Sequence, residues 1–461
     1  MNRTYTKDLS AKVGETISMS GWVDVRRDQG KMVFFDFRDM FGKVQCIVLP
    51  MHADASALAK EIRPEWVLQI EGKVNKRPEK NINAKVIGGD VELEVTRIEV
   101  LNKSETPPFE LNTDTSGVGE EIRMKYKYLD LRSERMTKNI RMRDKFITFL
   151  REYMHRNDFI EIETPMMTKG TPEGSREYII PSRLYHGEFY VLPQSPQQFK
   201  QLCMVAGFEK YFQIARCMRD EDTRGDRQPE FTQLDVEVSF TTQEEMIQYN
   251  EALIIDLVTK LYPEKKILKT PFPRITYAES MEKYGNDKPD MRENKEDPNE
   301  LAFCWVVDFP MFEEDSEGSV QAVHHPFTSP MAEDLAMLDT EPLKARANAY
   351  DIVLNGNEIG GGSIRIHKRD LQNKVFELLG LNAETIEARF GHMLTAFEYG
   401  APPHGGIAWG IERFIMLLQN EPTIREVMAF PKTGEGKDLM MGAPSGIPDK
   451  QLKELGLQIR K

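Results

Sequence analysis

The stretch CMRDEDTRGDRQPEFTQLDVE, residues 217–237, combines a high density of charge with the alternating pattern of β-strands. Residues 211–219 and 231–240 both alternate, so we predict a hairpin with the loop at 220–229. One face of this hairpin carries charged, amide and aromatic side chains, and the other carries Leu234, Val236 and Val238. A solvated face is one interpretation, but this mixture favours a floor that binds a polar ligand. The side chains of that floor are Arg219, Glu221, Phe231, Gln233, Asp235 and Glu237.

Two carboxylates and three glycines occur together in AYDIVLNGNEIGGGSIRIH, residues 349–367. Asp351 and Glu358 fit the preference of Mg²⁺ for one or two carboxylates together with phosphate oxygens. The glycines at 360–362 remove side chains where a ligand or another backbone must approach, and a glycine bulge is compatible with the same pattern. Arg365 follows on the same strand and has the parity of Gly361. The segment is therefore interpreted as a pair of Mg²⁺ carboxylates beside a place of close approach.

The segment GGIAWGIERFIMLL, residues 405–418, is predicted to be a strand followed by a helix, with Arg413 in the first turn of the helix. The helix dipole disfavours a cation in the first turn, so Arg413 indicates an anionic partner such as a phosphate. The sequence contains neither GxxxxGK[ST] nor GxGxxG. A nucleotide would therefore be held by some arrangement other than these two phosphate loops.

Adjacent histidines occur in VHHPFTSP, residues 323–330. His324 and His325 have no cysteine or third histidine nearby, which makes a zinc site improbable. We interpret them as substrate contacts, with a structural role as the alternative.

The C-terminal two thirds of the chain must position these groups. Strand-like segments from 159 to 410 alternate with helical periodicity and are joined by turns or long excursions. This order predicts an α+β fold in which helices flank an antiparallel sheet. The helices are expected at 134–157, 194–206, 242–262, 369–380, 382–397 and 411–419.

The N-terminal hundred residues have a different pattern, with five short strands and one helix after the third. This is the order of the five-stranded OB-fold β-barrel, which often binds oligonucleotides. Aromatic and basic residues on two strands could stack bases and neutralise phosphates, although some of these aromatics must fill the barrel; they are Arg27, Phe34, Phe35, Phe37 and Arg38. We predict domains at 1–103 and 134–461, joined by a Pro-, Gly- and acid-containing hinge at 104–133.

Composition restricts the class of protein further. The 461 residues carry a net charge of −13, so binding of nucleic acid through bulk charge is excluded. Four scattered cysteines, no secretory leader and no long apolar run indicate a cytoplasmic protein that has no membrane partner.

These motifs resemble those of the class II aminoacyl-tRNA synthetases, and among them the bacterial aspartyl type. Met218-Arg219-Asp220-Glu221 resembles motif two, GIER at 410–413 resembles motif three, and Pro165 matches motif one. TPEGSREY, QSPQQFKQL, HHPFTSP, NEIGGGSIRIH and FPKTGEGKDLMMGAPS occur in the order of that family. The resemblance covers nearly the whole chain and implies an anticodon-binding OB-fold, a hinge, and a class II catalytic domain in a homodimer.

The resemblance also implies substrates and residue roles. Arg219 would grip the α-phosphate of ATP and the α-carboxylate of L-aspartate, Glu221 would read adenine, and Arg413 would hold the γ-phosphate; these three are the expected catalytic residues. Further ATP contacts are implied for Asp220, Gln228, Glu358, Gly410, Ile411 and Glu412, with Mg²⁺ on Asp351 and Glu358. Aspartate contacts are implied for Glu173, Gln197, Lys200, Asp235, His324, His325 and Arg365, and anticodon contacts with tRNA-Asp for Arg27, Phe34, Gln45 and Glu92.

Two cations in the implied amino-acid pocket bear on specificity. Lys200 and Arg365 would lie near the side-chain end of the substrate. A neutral asparagine amide would leave buried cations unpaired, so the pocket is expected to favour aspartate.

One departure from the family pattern is large. Bacterial relatives carry an inserted domain between motifs two and three, whereas here a short charged link near 293–302 takes its place. The signature residues flank this link intact, so we expect activity to survive and contacts between that domain and tRNA to be lost. Whether tRNA-Asn is charged in addition to tRNA-Asp stays open, because Lys80 leans towards the strict type and Gln29 matches neither type.

Two other functions were weighed against an aspartate–tRNA ligase. An enzyme that activates an amino acid without tRNA would not need the barrel with its basic and aromatic positions. A non-catalytic nucleic-acid-binding protein would not need Arg219, Glu221, Asp351, Glu358 and Arg413 together.

Overall fold

The computed structural model describes residues 3–84, 87–170, 175–223 and 225–460. The chain divides into two compact units, Met1–Arg123 with Tyr128–Arg135, and Met124–Lys127 with Met136–Lys461. Each unit is described separately below.

The first unit contains a closed five-stranded barrel in which alternating residues face inward. Its strands follow one another around the barrel in the order β1-β2-β3-β5-β4, and only β3 and β5 pair in parallel. The elements are β1 (Thr16–Gln29), β2 (Met32–Arg38), β3 (Lys43–Val48), α1 (Ala53–Ala59), β4 (Val67–Lys76) and β5 (Val91–Asn102). A closed barrel with one helix after the third strand confirms the predicted OB-fold.

The alternation on β2 separates the barrel aromatics into two groups. Phe35 and Phe37 are fully buried in the barrel core, whereas Phe34 is half-buried on the outer face. Two of the three aromatics predicted as candidates for base stacking are therefore core residues. Only Phe34 remains available to an external partner.

The segment at 104–133, predicted as a hinge, contains short regular elements. These are a 3₁₀ turn at Thr115–Gly117 and the helices α2 (Glu120–Lys125) and α3 (Lys127–Asp130). Thr115 donates a hydrogen bond to Asp130 over 2.7 Å, and both residues are fully buried. The segment is thus locally ordered, and its role as a hinge stays a prediction.

The second unit is built on a mixed eight-stranded sheet that is mainly antiparallel. The strand order is β12-β14-β17-β18-β19-β10-β9-β6, and only the outer pairs β12–β14 and β6–β9 are parallel. Its strands are β6 (Ile160–Glu161), β9 (Lys210–Met218), β10 (Glu230–Ser239), β12 (Arg274–Thr276), β14 (Phe303–Val307), β17 (Ala349–Leu354), β18 (Asn357–Ile364) and β19 (His404–Gly410). Three two-stranded pairs lie outside it: β7 (Ile179–Pro181) with β8 (Phe189–Val191), β11 (Lys266–Ile267) with β13 (Glu300–Leu301), and β15 (Phe312–Glu314) with β16 (Val320–Ala322).

Helices flank this sheet, which confirms the predicted α+β class. Those predicted are α4 (Glu134–Arg156), α5 (Gln197–Val205), α6 (Gln243–Leu261), α9 (Arg369–Leu378), α10 (Ala383–Phe397) and α11 (Ile411–Gln419). Three shorter ones were not predicted: α7 (Tyr277–Tyr284), α8 (Met337–Thr340) and α12 (Asp449–Glu454). The start of α7 had a signal in the sequence, because Thr276 and Glu279 form a capping box.

The main core lies on one face of the sheet and leaves the other face for polar groups. Leu234, Val236, Ile407 and Trp409 are buried there against α4, α6 and α11. No helix in the described part of the chain is long and apolar enough to cross a membrane.

The link at 293–302 is short and closely hydrogen-bonded. The backbone N–H of Asn294 donates to Glu300 Oε2 over 2.6 Å, and Asn299 N–H donates to Asp297 Oδ1 over 2.9 Å. The link contains β13 and leads directly into β14, so a short segment joins residues 287–292 to the sheet.

Candidate active site

A cavity of about 490 Å³ opens on the polar face of the second unit's sheet. Strands β10, β17, β18 and β19 and helices α5 and α11 contribute lining residues, together with the loop at 219–228 and the segments that carry Asp287 and His324. Most of the residues expected to bind ATP, aspartate or a metal line it together: Arg219, Glu221, Gln228, Gln197, Lys200, Asp235, His324, His325, Asp351, Glu358, Arg365, Gly410, Glu412 and Arg413.

The predicted hairpin forms the floor. β9 and β10 pair in antiparallel register, with Gln233 opposite Ala215 and Asp235 opposite Gln213. Leu234 and Val236 are buried in the core on the other face, as the alternation predicted. The charged face of the stretch 217–237 is therefore part of the cavity and not a solvated surface.

The three glycines at 360–362 allow close approach on both faces of β18. A Cβ on Gly362 would lie 2.3 Å from the carbonyl oxygen of Gly406, and one on Gly360 would lie 2.6 Å from the Trp409 ring. A Cβ on Gly361 would lie 2.7 Å from Asp351 Oδ1 and 3.8 Å from Glu358 Oε1. Two glycines thus let neighbouring strands pack, and the third leaves space beside the carboxylates. The register also shifts between Ile352 and Val353, so the bulge and the close approach coexist.

The inner end of the cavity holds a closed cluster of four charges. Lys200 Nζ lies 2.7 Å from Asp235 Oδ1 and 3.2 Å from Glu237 Oε2. Arg365 donates to Glu237 through Nε over 3.0 Å and through Nη2 over 3.2 Å. All four side chains are at most 2% exposed, so their charges are held in a low-dielectric environment.

Glycine also makes room for this cluster. A Cβ on Gly406 of β19 would lie 2.0 Å from Glu237 Oε2, so any other residue would displace the carboxylate. Burial disfavours ionisation of Glu237, but Arg365 and Lys200 hold its pKa at about 2. Burial raises the pKa of Asp235 although Lys200 opposes this, and its Oδ2 has no hydrogen-bond partner within the described residues.

The pKa values of the two histidines are shifted in opposite directions. Burial and the nearby Arg365 lower the pKa of His325 well below its usual value, so its ring is neutral and Nε2 accepts from Arg365 Nη1 over 2.8 Å. Burial also acts to lower the pKa of His324, but Asp351, whose Oδ1 lies 3.2 Å from His324 Nε2, raises it overall. Both histidines line the cavity.

Asp351 and Glu358 meet the basic requirement for a Mg²⁺ site. Both carboxylates border the space left by Gly361 and line the cavity. Burial raises the pKa of Asp351; burial acts in the same direction on Glu358, but Lys288 and Arg413 lower its pKa overall. In the described residues no group of three or more His, Cys, Asp or Glu side chains could hold a metal ion. Two carboxylates that share a site with bound phosphates are the donor set that Mg²⁺ prefers.

The outer end of the cavity carries cations suited to phosphate. The Arg413 guanidinium donates to the carbonyl oxygen of Glu358 over 2.7 Å and to Asp226 Oδ2 over 3.1 Å. The Arg219 guanidinium lies over the Phe231 ring at 5.0 Å, and its buried Nε has no hydrogen-bond partner among the described residues. Glu221 accepts hydrogen bonds from Ser175 and, over 2.9 Å, from Arg227.

Glu412 lines the cavity but is also bound by protein groups, whereas two other predicted residues lie outside the lining. Glu412 is buried and accepts hydrogen bonds from Arg143 over 2.8 Å and from the Thr232 N–H over 3.0 Å, so its carboxylate joins α4, β10 and α11. Ile411 is fully buried in the core, and neither it nor Asp220 lines the cavity. Glu173 lies outside the described residues.

Gln228 lines the cavity and also fixes the loop of the hairpin. Its side chain accepts from the Lys432 N–H over 2.7 Å and donates to the Lys432 carbonyl over 3.0 Å. Lys432 Nζ reaches Glu230 at 2.9 Å, which adds a second contact to the base of the loop. The loop is therefore attached to the C-terminal segment.

Further charged and aromatic residues at the site were not among the predicted ligands, including Glu237, Phe231, Asp226 and Lys288. Glu237 and Phe231 were placed on the floor by their parity, but nothing in the sequence indicated that Glu237 bridges two cations. Asp226 and Lys288 bind Arg413 and Glu358 respectively, and both residues line the cavity. These pairings join loops distant in sequence, so no local pattern could have identified them.

The predicted anticodon residues lie together on the outer face of the barrel. Gln45 donates to Glu92 Oε2 over 3.3 Å and accepts from Arg77 over 3.1 Å. Arg27 binds Asp36 through both carboxylate oxygens, at 2.9 and 3.0 Å, and pairs across the strands with Phe34. Strands β1, β2, β3 and β5 thus present one polar surface around the half-exposed Phe34 ring.

Two family models match the chain and together cover most of it. Residues 119–434 match the class II tRNA synthetases for D, K and N, and residues 17–101 match the OB-fold nucleic acid binding domain. The first match alone covers more than half of the chain and includes every described residue of the cavity.

Full-length relatives share about two fifths of their residues with this chain. The aspartate–tRNA(Asp/Asn) ligase of Rubrobacter xylanophilus is 42% identical over 99% of this chain and 97% of the relative. The aspartate–tRNA ligase of Staphylococcus carnosus is 40% identical over 99% of this chain and 98% of the relative. The alignment with the first extends over 583 positions, against 461 residues here, which confirms that this chain lacks a large inserted segment.

Solved structures with the same fold belong to the same class. The asparaginyl-tRNA synthetase of Pyrococcus horikoshii, complexed with asparaginyl-adenylate, has a TM-score of 0.77 at 20% identity and covers 94% of this chain and 98% of its own. The aspartyl-tRNA synthetase of Entamoeba histolytica has a TM-score of 0.72 at 24% identity, and the match covers 94% of this chain and 91% of that one. The family model and the full-length relatives show that the chain belongs to the class II aminoacyl-tRNA synthetases and, within them, to the family of aspartate–tRNA ligases.

Proposed function

We propose that this chain activates L-aspartate with ATP and transfers the aspartyl group to the 3′ end of tRNA-Asp. The observation that carries this proposal is a single cavity with two different ends. The inner end contains the buried cluster of Lys200, Arg365, Asp235 and Glu237, and the outer end contains Arg413 and Glu358. An amino acid and a nucleotide triphosphate fit this division of charge.

The inner end supplies complementary groups for aspartate. Lys200 and Arg365 provide donors for the side-chain carboxylate, with His325 adjacent to the guanidinium. The unpartnered Oδ2 of Asp235 is suited to the α-ammonium group. An asparagine side chain would turn an NH2 donor towards these cations where aspartate presents a second, charged acceptor oxygen, which supports discrimination against it.

The outer end supplies positioning and charge neutralisation for phosphoryl chemistry. The α-carboxylate oxygen of aspartate attacks the α-phosphorus of ATP, the bond to the β-phosphate oxygen breaks, and pyrophosphate leaves with that electron pair. Arg219 would bind the α-phosphate, and Arg413 the terminal phosphate. This reaction depends on alignment and electrostatic stabilisation and needs no protein nucleophile.

Asp351 and Glu358 would hold Mg²⁺ with the phosphates. The ion would neutralise phosphate charge and orient the leaving group. Around it, this chain's own residues hold the geometry: Gly361 leaves the space, and His324 fixes one Asp351 oxygen at 3.2 Å.

The barrel supports tRNA as the second substrate. Its outer face presents Phe34 for stacking, with Arg27, Gln45 and Glu92 available for hydrogen bonds to unpaired bases. Charging of tRNA-Asn in addition is the second candidate, because the name of the R. xylanophilus relative gives both tRNAs, whereas the name of the S. carnosus relative specifies no particular tRNA. Exposed Gln29 and Lys80 on the barrel are the positions at which we expect this choice to be made.

A homodimer is supported by an exposed apolar surface on the second unit. The hairpin β7–β8 and its turn expose four apolar side chains, those of Ile179, Leu184, Tyr185 and Phe189. Met167 is also exposed, and its neighbour Thr168 forms a β-bridge with Val191 of β8. Surfaces of this kind mark contacts between proteins. Sedimentation equilibrium should give a dimer, and Leu184→Asp should shift it towards monomer.

Two assays test the proposed function. Aspartate should support exchange of labelled pyrophosphate into ATP, and asparagine should not; absence of aspartate-dependent exchange would refute the proposal. Aminoacylation of purified tRNA-Asp and tRNA-Asn, measured side by side with labelled aspartate, then decides the tRNA specificity. Exchange without any charging would instead favour activation of an amino acid without tRNA.

The barrel's role has its own test. Phe34→Ala should reduce kcat/KM for tRNA about tenfold or more, since stacking of one base on an aromatic ring contributes about 1–3 kcal/mol. Pyrophosphate exchange should not change, because the barrel is a separate unit from the cavity. Ile82→Ala, also on the surface of the first unit, is the matched control.

A further inference from the structure

A lysine that none of the predicted roles includes lies beside the metal carboxylates. Lys288 lines the cavity, and its Nζ lies 3.2 Å from Glu358 Oε2. The backbone carbonyl of Glu358 accepts from Arg413 over 2.7 Å. One residue of β18 therefore holds two cations, through its side chain and its main chain, at the end of the cavity suited to phosphate.

The position of Lys288 is fixed by the segment that carries it. A Cβ on Gly356, in the turn between β17 and β18, would lie 3.4 Å from Asp290 Cβ and 3.8 Å from the Lys288 carbonyl. Asp290 in turn accepts hydrogen bonds from Arg292 over 3.0 and 2.8 Å. The main chain at 288 thus packs on the turn beside Glu358, while the side chain, 39% exposed, can move.

Lys288 can neutralise negative charge in the cavity. Asp226, Asp287, Asp351 and Glu358 are acidic residues of the cavity's lining, and a nucleotide triphosphate would add about four more negative charges at neutral pH. A flexible ammonium group is a suitable phosphate ligand because its three donors need no fixed plane. The pair with Glu358 is half-exposed, so exchanging that partner for a phosphate costs little.

We propose that Lys288 is a phosphate-binding residue for ATP that exchanges Glu358 for a phosphate oxygen when the nucleotide and its divalent cation bind. The inference rests on the proposed function and adds a residue to it. Lys288 neutralises Glu358 before binding and the phosphates afterwards, and Glu358 then becomes available to the cation. No covalent step is involved.

The test uses the full chain with Lys288→Met, which removes the charge and keeps the length, and Lys288→Arg, which keeps the charge. Lys295→Met is the matched control, because Lys295 lies in the same segment, 3.7 Å from Asp290, and does not line the cavity. Calorimetry should show that Lys288→Met binds Mg·ATP about tenfold more weakly, the loss expected for one hydrogen bond to a charged group, while Lys288→Arg stays close to wild type.

A second measurement has the opposite sign. Titration with Mn²⁺ without nucleotide, followed by electron paramagnetic resonance, should give about two- to threefold tighter binding in Lys288→Met, since Glu358 loses a competing cation. Unchanged or tighter Mg·ATP binding would overturn the proposal, as would unchanged Mn²⁺ binding. Both measurements are independent of aspartate, so they can fail while aspartate-dependent exchange succeeds, and the reverse. Circular dichroism and thermal melting establish that each variant is folded before it is scored.

Discussion

The two ends of the cavity use the same residue types in different environments. At the inner end Lys200, Arg365, Asp235 and Glu237 are at most 2% exposed and are bound to one another. At the outer end Arg413, Asp226, Lys288 and Glu358 form pairs whose side chains are between 24% and 43% exposed. Charge pairs therefore occur at both ends, and the two ends differ in how far the paired side chains are exposed to solvent.

That difference assigns different tasks to the pairs. Removing one member of a buried pair leaves an uncompensated charge and costs about 3–5 kcal/mol, so the inner cluster holds one fixed geometry. Exposed pairs contribute only about 0–1 kcal/mol, so the outer partners can be exchanged for phosphates and a cation. A fixed pocket suits the selection of a small amino acid, and exchangeable partners suit a nucleotide that enters and leaves in every cycle.

The largest effect is expected from Glu237→Gln. The variant leaves Lys200 and Arg365 with one carboxylate between them, so it should lose about 3 kcal/mol or more of unfolding free energy and most aspartate-dependent exchange. Urea denaturation and exchange kinetics measure the two losses. Glu230→Gln, whose carboxylate pairs with Arg216 and Lys432 at the exposed start of the same strand, should lose under about 1 kcal/mol. Equal losses in both variants would contradict the contrast between the two ends.

The same carboxylate should make stability depend on pH in the acid range. The pKa of Glu237 is held at about 2 in the folded chain, below its value of 4.5 when unperturbed. Its contribution is therefore complete above pH 4.5 and is lost as pH falls from there towards about 2, amounting to about 3 kcal/mol. The difference in unfolding free energy between wild type and Glu237→Gln should shrink over this window. A constant difference would show that Arg365 and Lys200 do not lower the pKa of Glu237. The exposed residue Glu282 provides the control variant, Glu282→Gln.

Lys200→Ala should separate the two ends functionally. Loss of a charged hydrogen bond of about 1.5–3 kcal/mol predicts that kcat/KM for aspartate falls about tenfold to a hundredfold, with Mg·ATP binding nearly unchanged. Exchange kinetics with each substrate varied measure the split, and exposed Lys260→Ala on α6 is the control. If aspartate and ATP were affected equally, Lys200 would not belong to the amino-acid end.

The smallest effect is expected from Asp226→Asn at the outer end. The change removes the carboxylate that binds Arg413 at 3.1 Å and should lower KM for ATP by up to about fivefold. Added salt should make this decrease in KM for ATP smaller, because the pair of Asp226 and Arg413 is partly exposed. A higher KM for ATP would instead make Asp226 a required part of the site. Asp256→Asn, which breaks an exposed pair on α6, controls for loss of surface charge.

Local patterns were sufficient for the elements and for the faces they present. Period-two alternation placed Arg219 and Asp235 on the floor and Leu234 in the core, and strand order identified the barrel. Periodicity did not predict α7, for which the capping box was the available signal. It also did not show that Phe35 and Phe37 are core residues, because alternation alone does not tell which face of a strand is the inside of a barrel.

The sequence by itself determined the family, the fold class and the residue types that meet in the cavity, because periodicity and motif spacing are local properties of the chain. Only the tertiary structure decided which charges become partners. Glu237 bridges Lys200 and Arg365, Glu412 binds Arg143, and Lys288 reaches Glu358. Each of these contacts joins elements far apart in sequence, and its strength depends on burial, which is a property of the packed sheet and not of any segment.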